Sequence, residues 1–447
     1  MRLRSPHDQA IRALALPALG SLIAEPVLSL VDTAFIGRVG RDALAALGVA
    51  AAVFALAFFL FNFLEYGTTT EVAKAVGRGD LDSAGRATAT AMTLAAGCGV
   101  AVALGLVALR GPIAGLLGAA GEVSAGAVTY IGIRALAAPA VLLVRAAHGA
   151  YRGYQDTRTP LLVAVGVNGV NLLLDPLLIF GLGWGIGGAA WATAIAQWVG
   201  ACWFAALLMK GKQKYGLAGA RPVTTEVRAF LRVGRNLAVR TGALLATFTL
   251  ATAVAARVSE VALAAHQVLS QLFLFLALGL DALAIAAQAL VARILGSGDR
   301  LGAREVSDRL LALGVGVGVA LTLVLAVIGP LVPGWFTSDP ETRRAIAGVY
   351  GILVVLQPLA AIVFVWDGVF IGAGDFGFLA LAMVGAALVA GTLLVMVLPL
   401  GWGLSGVWWS IGALLGARGL TLGWRRVAPA GPFPPGSSRG SRAGRGW

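Results

Sequence analysis

Residues 160–209 read PLLVAVGVNGVNLLLDPLLIFGLGWGIGGAAWATAIAQWVGACWFAALLM, with Asp175 as their one charged side chain. About 20 consecutive apolar residues suffice to cross a bilayer as a helix. The stretch therefore predicts two spans, near 160–181 and 187–209, joined through the glycines of GLGWGIGG. Outward from it the pattern recurs. Earlier runs fall near 11–37, 43–71, 84–109 and 123–150, and later ones near 229–256, 261–293, 304–329, 342–371, 377–399 and 404–424. The expected fold is an all-α polytopic membrane protein of about 12 transmembrane helices.

Composition agrees. Of 447 residues, 59% are hydrophobic and 12% charged, with a mean hydropathy of +0.87. A soluble domain carries about 25% charged residues, so a cytosolic enzyme is excluded, and the spans leave no room for a large soluble domain. The net charge of +13 comes from 34 Lys and Arg against 21 Asp and Glu. Such an excess marks cytoplasmic loops, which accounts for it without a nucleic-acid partner. Cys98 and Cys202 each lie inside an apolar run, and His7, His148 and His266 are far apart, so neither a disulfide framework nor a metal cluster is expected. The first apolar run is too long for a cleaved signal peptide.

Basic residues set the orientation. With the N-terminus inside, the inner segments hold Arg2, Arg4 and Arg12, then Lys74, Arg78 and Arg86, then Arg145, Arg152 and Arg158. Lys210, Lys212, Lys214, Arg221, Arg228, Arg232 and Arg235 follow, then Arg293, Arg300, Arg304 and Arg309, and the end of the chain from Arg418. Only Arg38, Arg41, Arg110, Arg257, Arg343 and Arg344 fall outside. Both termini are expected in the cytoplasm of a multi-pass protein of the cell membrane.

The chain also repeats itself. At an offset of 219, Ala43-Leu44-Ala45-Ala46 matches Ala262-Leu263-Ala264-Ala265, and Asp80, Pro139, Gly149, Gly153 and Asp156 match Asp299, Pro358, Gly368, Gly372 and Asp375. One residue of slippage later, Leu182-Gly183-Trp184-Gly185 matches Leu400-Gly401-Trp402-Gly403, and Trp191 matches Trp409. A tandem duplication of six spans keeps both halves in one orientation, which implies a pseudo-twofold axis along the membrane normal, as in alternating-access transporters. The expected parts are a first lobe at 1–212, a flexible cytoplasmic linker at 213–228, a second lobe at 229–426 and a disordered basic tail at 427–447.

Residues polar in only one half carry the functional information. Asp32 in SLVDTAFIG has Ala251 as its counterpart, and Asp175 faces an aliphatic one. An ionised Asp at the bilayer centre costs about 2.5–3.5 kcal/mol on insertion scales, so such residues are functional hypotheses by default. The bland alternative is a buried Asp hydrogen-bonded to a neighbouring helix. Asn168, Asn171 and Asp175 share one helix face. Pro176 frees the Leu172 carbonyl one turn back as an oxygen ligand, and Thr193 and Tyr130 offer hydroxyls. Two carboxylates in a dry pocket favour taking up a proton, and an all-oxygen set equally suits a hard cation such as Na⁺. Pro17 and Pro26 precede Asp32 and give the first span places to bend. The second half has its own polar set: Gln267, Gln271, Asp281 and Gln288 on the eighth span, Asp367 on the tenth and Arg240 on the seventh. Here the bland reading is a buried pair of Arg240 with Asp281.

At these residues the chain resembles a family. VDTAFIGRVG, FNFLEYGTTTEVAKAVGRGD, YRGYQDTRTP, NLLLDPLLIFGLGWGIGGAAWATAIAQ, and LAAHQV followed by LDALAIAAQALV are similar to multidrug and toxic compound extrusion (MATE) antiporters, in the branch of the DNA-damage-inducible F protein. The resemblance covers roughly residues 10–425. It implies two six-helix lobes and export of organic cations against H⁺ or Na⁺, without a further cofactor. It also implies a first-lobe cation site at Asp32, Asn171, Asp175 and Thr193 with Tyr130 beside it, and a helix bend at Pro17. Asp367 resembles a second-lobe acid of another branch. That branch's seventh-span acid has no match here, where Arg240 is the charged residue.

The expected function is thus a secondary antiporter, not an enzyme, working as a monomer on a small organic substrate in the lipid bilayer by alternating access. A lipid-linked precursor flippase of the same superfamily would have extra spans and a strongly cationic cavity. A membrane-embedded transferase would need an acid, His or Ser constellation at the membrane surface; no HExxH, GxSxG or paired Asp-rich motif occurs. GLGWGIGG lacks the preceding strand that a dinucleotide loop requires.

Overall fold

A computed structural model describes residues 5–429 and 431–433. These form fifteen α-helices and one π-helical turn. Contacts divide the chain into two compact units: Ala13–Arg235, and the residues up to Arg12 together with those from Asn236 onward.

The first unit holds most of α1 (Asp8–Val39), then α2 (Arg41–Phe59), α3 (Asn62–Gly77), α4 (Leu81–Leu116), α5 (Gly121–Ala135), α6 (Ala138–Gly153), α7 (Arg158–Pro176) and α8 (Gly185–Lys210). The start of α9 (Thr224–Val258) completes it. Two of the expected spans are each built from two helices. The run near 43–71 is α2 and α3, and the run near 123–150 is α5 and α6, bent by 52°. The bend has a local cause. Pro139 begins α6 and cannot donate to the preceding turn; one carbonyl of the break, that of Leu136, accepts from Trp198 Nε1 at 3.2 Å.

The second unit continues α9 and adds α10 (Glu260–Gly296), α11 (Arg300–Ile328), the short α12 (Val332–Phe336), α13 (Pro340–Ala373), α14 (Phe376–Val397) and α15 (Gly403–Val427). Asp8, in the first turn of α1, belongs to this unit and accepts from Arg309 of α11 at 2.7 and 2.8 Å. Among the described residues, ten helical segments are long and apolar enough to cross a bilayer, and the bent α5–α6 pair makes an eleventh. The last expected span is α15, which carries Arg418 within it and Arg425 and Arg426 in its last turn.

The sequence repeat is repeated in packing. A Cβ on Gly149 would meet the Glu65 carbonyl, and one on Gly368, at the same offset of 219, would meet the Ala284 carbonyl. Gly99 lies against Pro139 as Gly318 lies against Pro358. Asp80 caps α4 by accepting from Ser83 N at 2.9 Å, and Asp299 caps α11 by accepting from Gly302 N at 2.8 Å. The hydrogen bonds from Ser83 hold the Asp80 carboxyl below the usual carboxylate range.

The connection at 213–228 differs from its expected flexibility. Tyr215 is buried against Tyr151 and Tyr154, and the Tyr154 hydroxyl donates to the Tyr215 carbonyl at 2.7 Å. Gly216, at φ +64°, passes so close to the Leu81 carbonyl that any side chain would collide with it. Glu226 accepts from Thr90 of α4 at 2.8 Å. An aromatic anchor and a glycine fit override the polar composition that reads as a loose loop. Of the expected tail at 427–447, Ala428 and Phe433 are buried. Residues 430 and 434–447 lie outside the described residues.

Candidate functional site

The first unit brings α1, α7 and α8 together at one buried polar cluster. Asp32 comes from α1, Asn171 and Asp175 from one face of α7, and Thr193 from α8; all four are buried. The Asn171 amide joins them. Its nitrogen donates to Asp32 Oδ1 and to Asp175 Oδ2, both at 3.0 Å, and its oxygen accepts from Thr193 N at 3.2 Å. That orientation satisfies both ends of the amide, the nitrogen on two acceptors and the oxygen on a donor. The Thr193 hydroxyl donates to the Ala189 carbonyl at 3.0 Å and keeps its lone pairs. Asp175 Oδ1 is buried with no hydrogen-bond partner among the described residues.

Tyr130 does not join this cluster by a hydrogen bond among those described. It lies on α5, 1% exposed, and its hydroxyl accepts from Arg134 Nη1 at 3.2 Å. The Arg134 guanidinium sits over the Phe54 ring at 4.9 Å.

Both prolines lie inside a continuous α1. Pro17 removes the hydrogen bond to the Ala13 carbonyl, and Thr157 replaces it, donating to Ala13 O at 3.3 Å and to Leu14 O at 2.9 Å. Near Pro26, Asn168 donates to the Ala24 carbonyl at 2.8 Å. Asn168 therefore ties α7 to α1 and is not a ligand of the acid pair. Glu25, which sequence reasoning passed over, lies two turns before Asp32 on the same face of α1. It is exposed, and Leu16, Val27 and Leu30 occupy the other side of the helix. Its counterpart in the second half is Leu244, so the comparison of halves contained the signal.

The second unit arranges its charges differently. Asp367 is buried, with one carboxylate oxygen taken by Arg240 and the other by Arg418. Arg240 thus meets Asp367, an acid that the sequence placed on the tenth span without assigning it to Arg240. Arg418, assigned with the basic end of the chain, is 5% exposed inside α15. Asp281 is half-buried on α10 and Gln288 is buried. Gln267 and Gln271 are exposed, and no described hydrogen bond brings them to Asp367. A carboxylate held by two guanidiniums has its charge met on both oxygens and does not call for a further cation. The first unit has its own ionic anchor, where Glu65 pairs with Arg152 and with Arg145 at 3.8 Å, and Arg145 donates to Asn62 at 2.6 Å.

A polytopic helical membrane protein with an underbalanced acid pair buried between three spans belongs with ion-handling membrane proteins. The particular family is shown by its model. The chain belongs to the MatE family, whose model matches residues 17–177 and 242–397, and it is accordingly a membrane transporter and not an enzyme. It is 36% identical to Protein DETOXIFICATION 44, chloroplastic, of Arabidopsis thaliana, over 95% of this chain and 83% of that one. It is 32% identical to DNA damage-inducible protein F of Escherichia coli (strain K12), over 95% and 94%. A MOP superfamily transporter from Pyrococcus furiosus superposes with a TM-score of 0.86 over 94% of this chain and 96% of that one, at 21% identity, which bears on the fold.

Proposed function

We propose that this efflux transporter is an antiporter, expelling amphipathic and often cationic organic compounds in exchange for H⁺ or Na⁺ taken up at Asp32 and Asp175. The observation that carries the reading is the single Asn171 amide shared by two carboxylates from different helices. One neutral donor cannot balance two anions in a low-dielectric site. A proton or a Na⁺ can, and the oxygens of Asp32, Asp175 and Thr193 suit either. Because Asp32 and Asp175 stand on α1 and α7, an ion held between them ties those helices together. Differential stabilisation of two conformations is what coupling requires. The prolines and their exchangeable carbonyl partners give α1 its capacity to respond.

The substrate class is supported by Glu25, an exposed carboxylate at span depth that a cationic group would neutralise. The cell membrane, with both termini inside, is supported by the distribution of Lys and Arg. The test is substrate export from proteoliposomes with pH and Na⁺ gradients imposed separately. The antiport reading predicts export driven by at least one gradient and lost in Asp32→Asn; export indifferent to both gradients would overturn it.

A further inference from the structure

Helix α8 carries an apolar groove and a basic end, and the coupling reading uses neither. The groove is lined by Trp191, Ile195, Trp198, Val199 and Cys202 of α8 and by Leu136, at the break between α5 and α6. Its origin is local. The 52° bend at the break leaves Leu136 exposed. Trp198 Nε1 donates to the Leu136 carbonyl at 3.2 Å, which satisfies both polar groups and leaves the groove lined by carbon and the Cys202 sulfur. Positions 191, 195, 198 and 202 recur at helical spacing, so the groove runs along α8 as one stripe. On a helix that crosses a bilayer, such a stripe lies at the depth of the acyl chains.

The basic end follows directly. Lys210 closes α8, and the chain stays coiled beyond it. Gly211 N donates to the Leu207 carbonyl at 3.0 Å, Tyr215 N to that of Gly211 at 3.0 Å, and Leu217 N to that of Lys212 at 2.7 Å. Lys212 and Lys214 are thereby kept close to the helix end. All three lysines are exposed, and among the described residues none takes part in an ion pair. Lys214 Nζ lies 5.2 Å from the Tyr215 ring centroid, a contact that orients the charge without neutralising it. Asp80 accepts from Ser83 and Glu226 from Thr90, so both are engaged. Asp82, whose backbone passes Gly216, is exposed beside the patch, and three lysines outnumber it.

One kind of molecule answers both features: a phosphate headgroup suits the lysines, and an acyl chain suits the groove. The lengths agree. Along the helix axis Cys202 lies about 12 Å and Trp198 about 18 Å from Lys210, and the hydrocarbon of one leaflet is about 15 Å deep. We propose that α8 is a binding strip for an anionic phospholipid, with the headgroup at Lys210, Lys212 and Lys214 and one acyl chain laid across Cys202 towards Trp198. Tyr215 and Gly216, which dock the connection, keep the lysines in place. The site is independent of the acid pair.

The experiment titrates the purified full-length chain in nonionic micelles with phosphatidylglycerol or, separately, with phosphatidylcholine of identical chains. Native mass spectrometry reads the apparent Kd of the first lipid retained. One lysine near a membrane surface favours anionic lipid by roughly fivefold, so the parent chain should prefer phosphatidylglycerol by at least that factor. Lys210→Gln, Lys212→Gln and Lys214→Gln together should abolish the preference. Arg221→Gln, Arg228→Gln and Arg232→Gln together remove the same charge at exposed positions further along the chain, and should leave the preference within about twofold of the parent's. Cys202→Trp fills the groove and should weaken phosphatidylglycerol binding at least threefold, roughly the loss of one buried methylene contact. A parent chain without preference, equal losses in the two triple variants, or unchanged binding in Cys202→Trp overturns the inference.

Discussion

At the residue scale the acid pair dominates. Asp32 and Asp175 share one donor, so their contributions to ion binding should not be independent. In Asp32→Asn, Asp175→Asn and the double variant, losses in coupling-ion binding free energy should depart from additivity by more than about 0.5 kcal/mol, the usual scatter for independent sites; simple addition would mean that the residues do not share a site. Glu25→Gln should weaken export of cationic compounds and spare that of neutral ones, read as separate half-saturation constants in the same vesicles. Equal effects on both would deny Glu25 a part in charge recognition. The acids were legible in the sequence because a charge in an apolar run has no scaffold explanation and no partner in the other half. Asn171 was legible because helical periodicity puts it one turn from Asp175. The bridging amide was not, since it depends on how α1 docks on α7. Arg418 was hidden for another reason: a basic chain end masked it, and only burial distinguishes it from a loop arginine.

At the element scale, close helix approach is the binding force that small residues provide in lipid. Gly149 and Gly368 bring α6 and α13 against the backbones of α3 and α10. Gly368→Ala should therefore cost about 1–3 kcal/mol through overpacking, read as lowered thermal stability in detergent, whereas Gly97→Ala, with nothing within reach of its Cβ, should not destabilise. A tolerant Gly368 would contradict the packing. Thr157→Val removes the donor that answers the Ala13 carbonyl below Pro17 and should destabilise by about 1 kcal/mol. The sequence revealed these elements well, because bilayer thickness fixes their length. Breaks within spans were less visible: Pro139 announces the α5–α6 bend, but no residue type announces the division between α2 and α3.

At the scale of the whole molecule, duplication was the strongest signal in the sequence, since shared Asp, Pro and Trp positions are improbable in a chain made largely of Ala, Gly and Leu. The connection between halves was the weakest, because Tyr215 and Gly216 act through tertiary fit. That fit also decides how topology is best probed. A cysteine at Gly216 would collide with Leu81, so Gln213→Cys, at an exposed position, is the better reporter once Cys98 and Cys202 are replaced by Ala. It should react with an impermeant thiol reagent only from the cytoplasmic side, and labelling from outside would overturn the assigned orientation.

The most direct test of the central claim, that ion uptake at the Asp32–Asp175 pair drives export, is counterflow in proteoliposomes. An organic-cation substrate is loaded inside, and a pH or Na⁺ gradient is imposed across the membrane for the parent chain and for Asp32→Asn. The account predicts substrate efflux in the parent chain on imposing one of the gradients, with none above leak in an equally well-inserted Asp32→Asn. Gradient-driven efflux of equal rate in both proteins would contradict it.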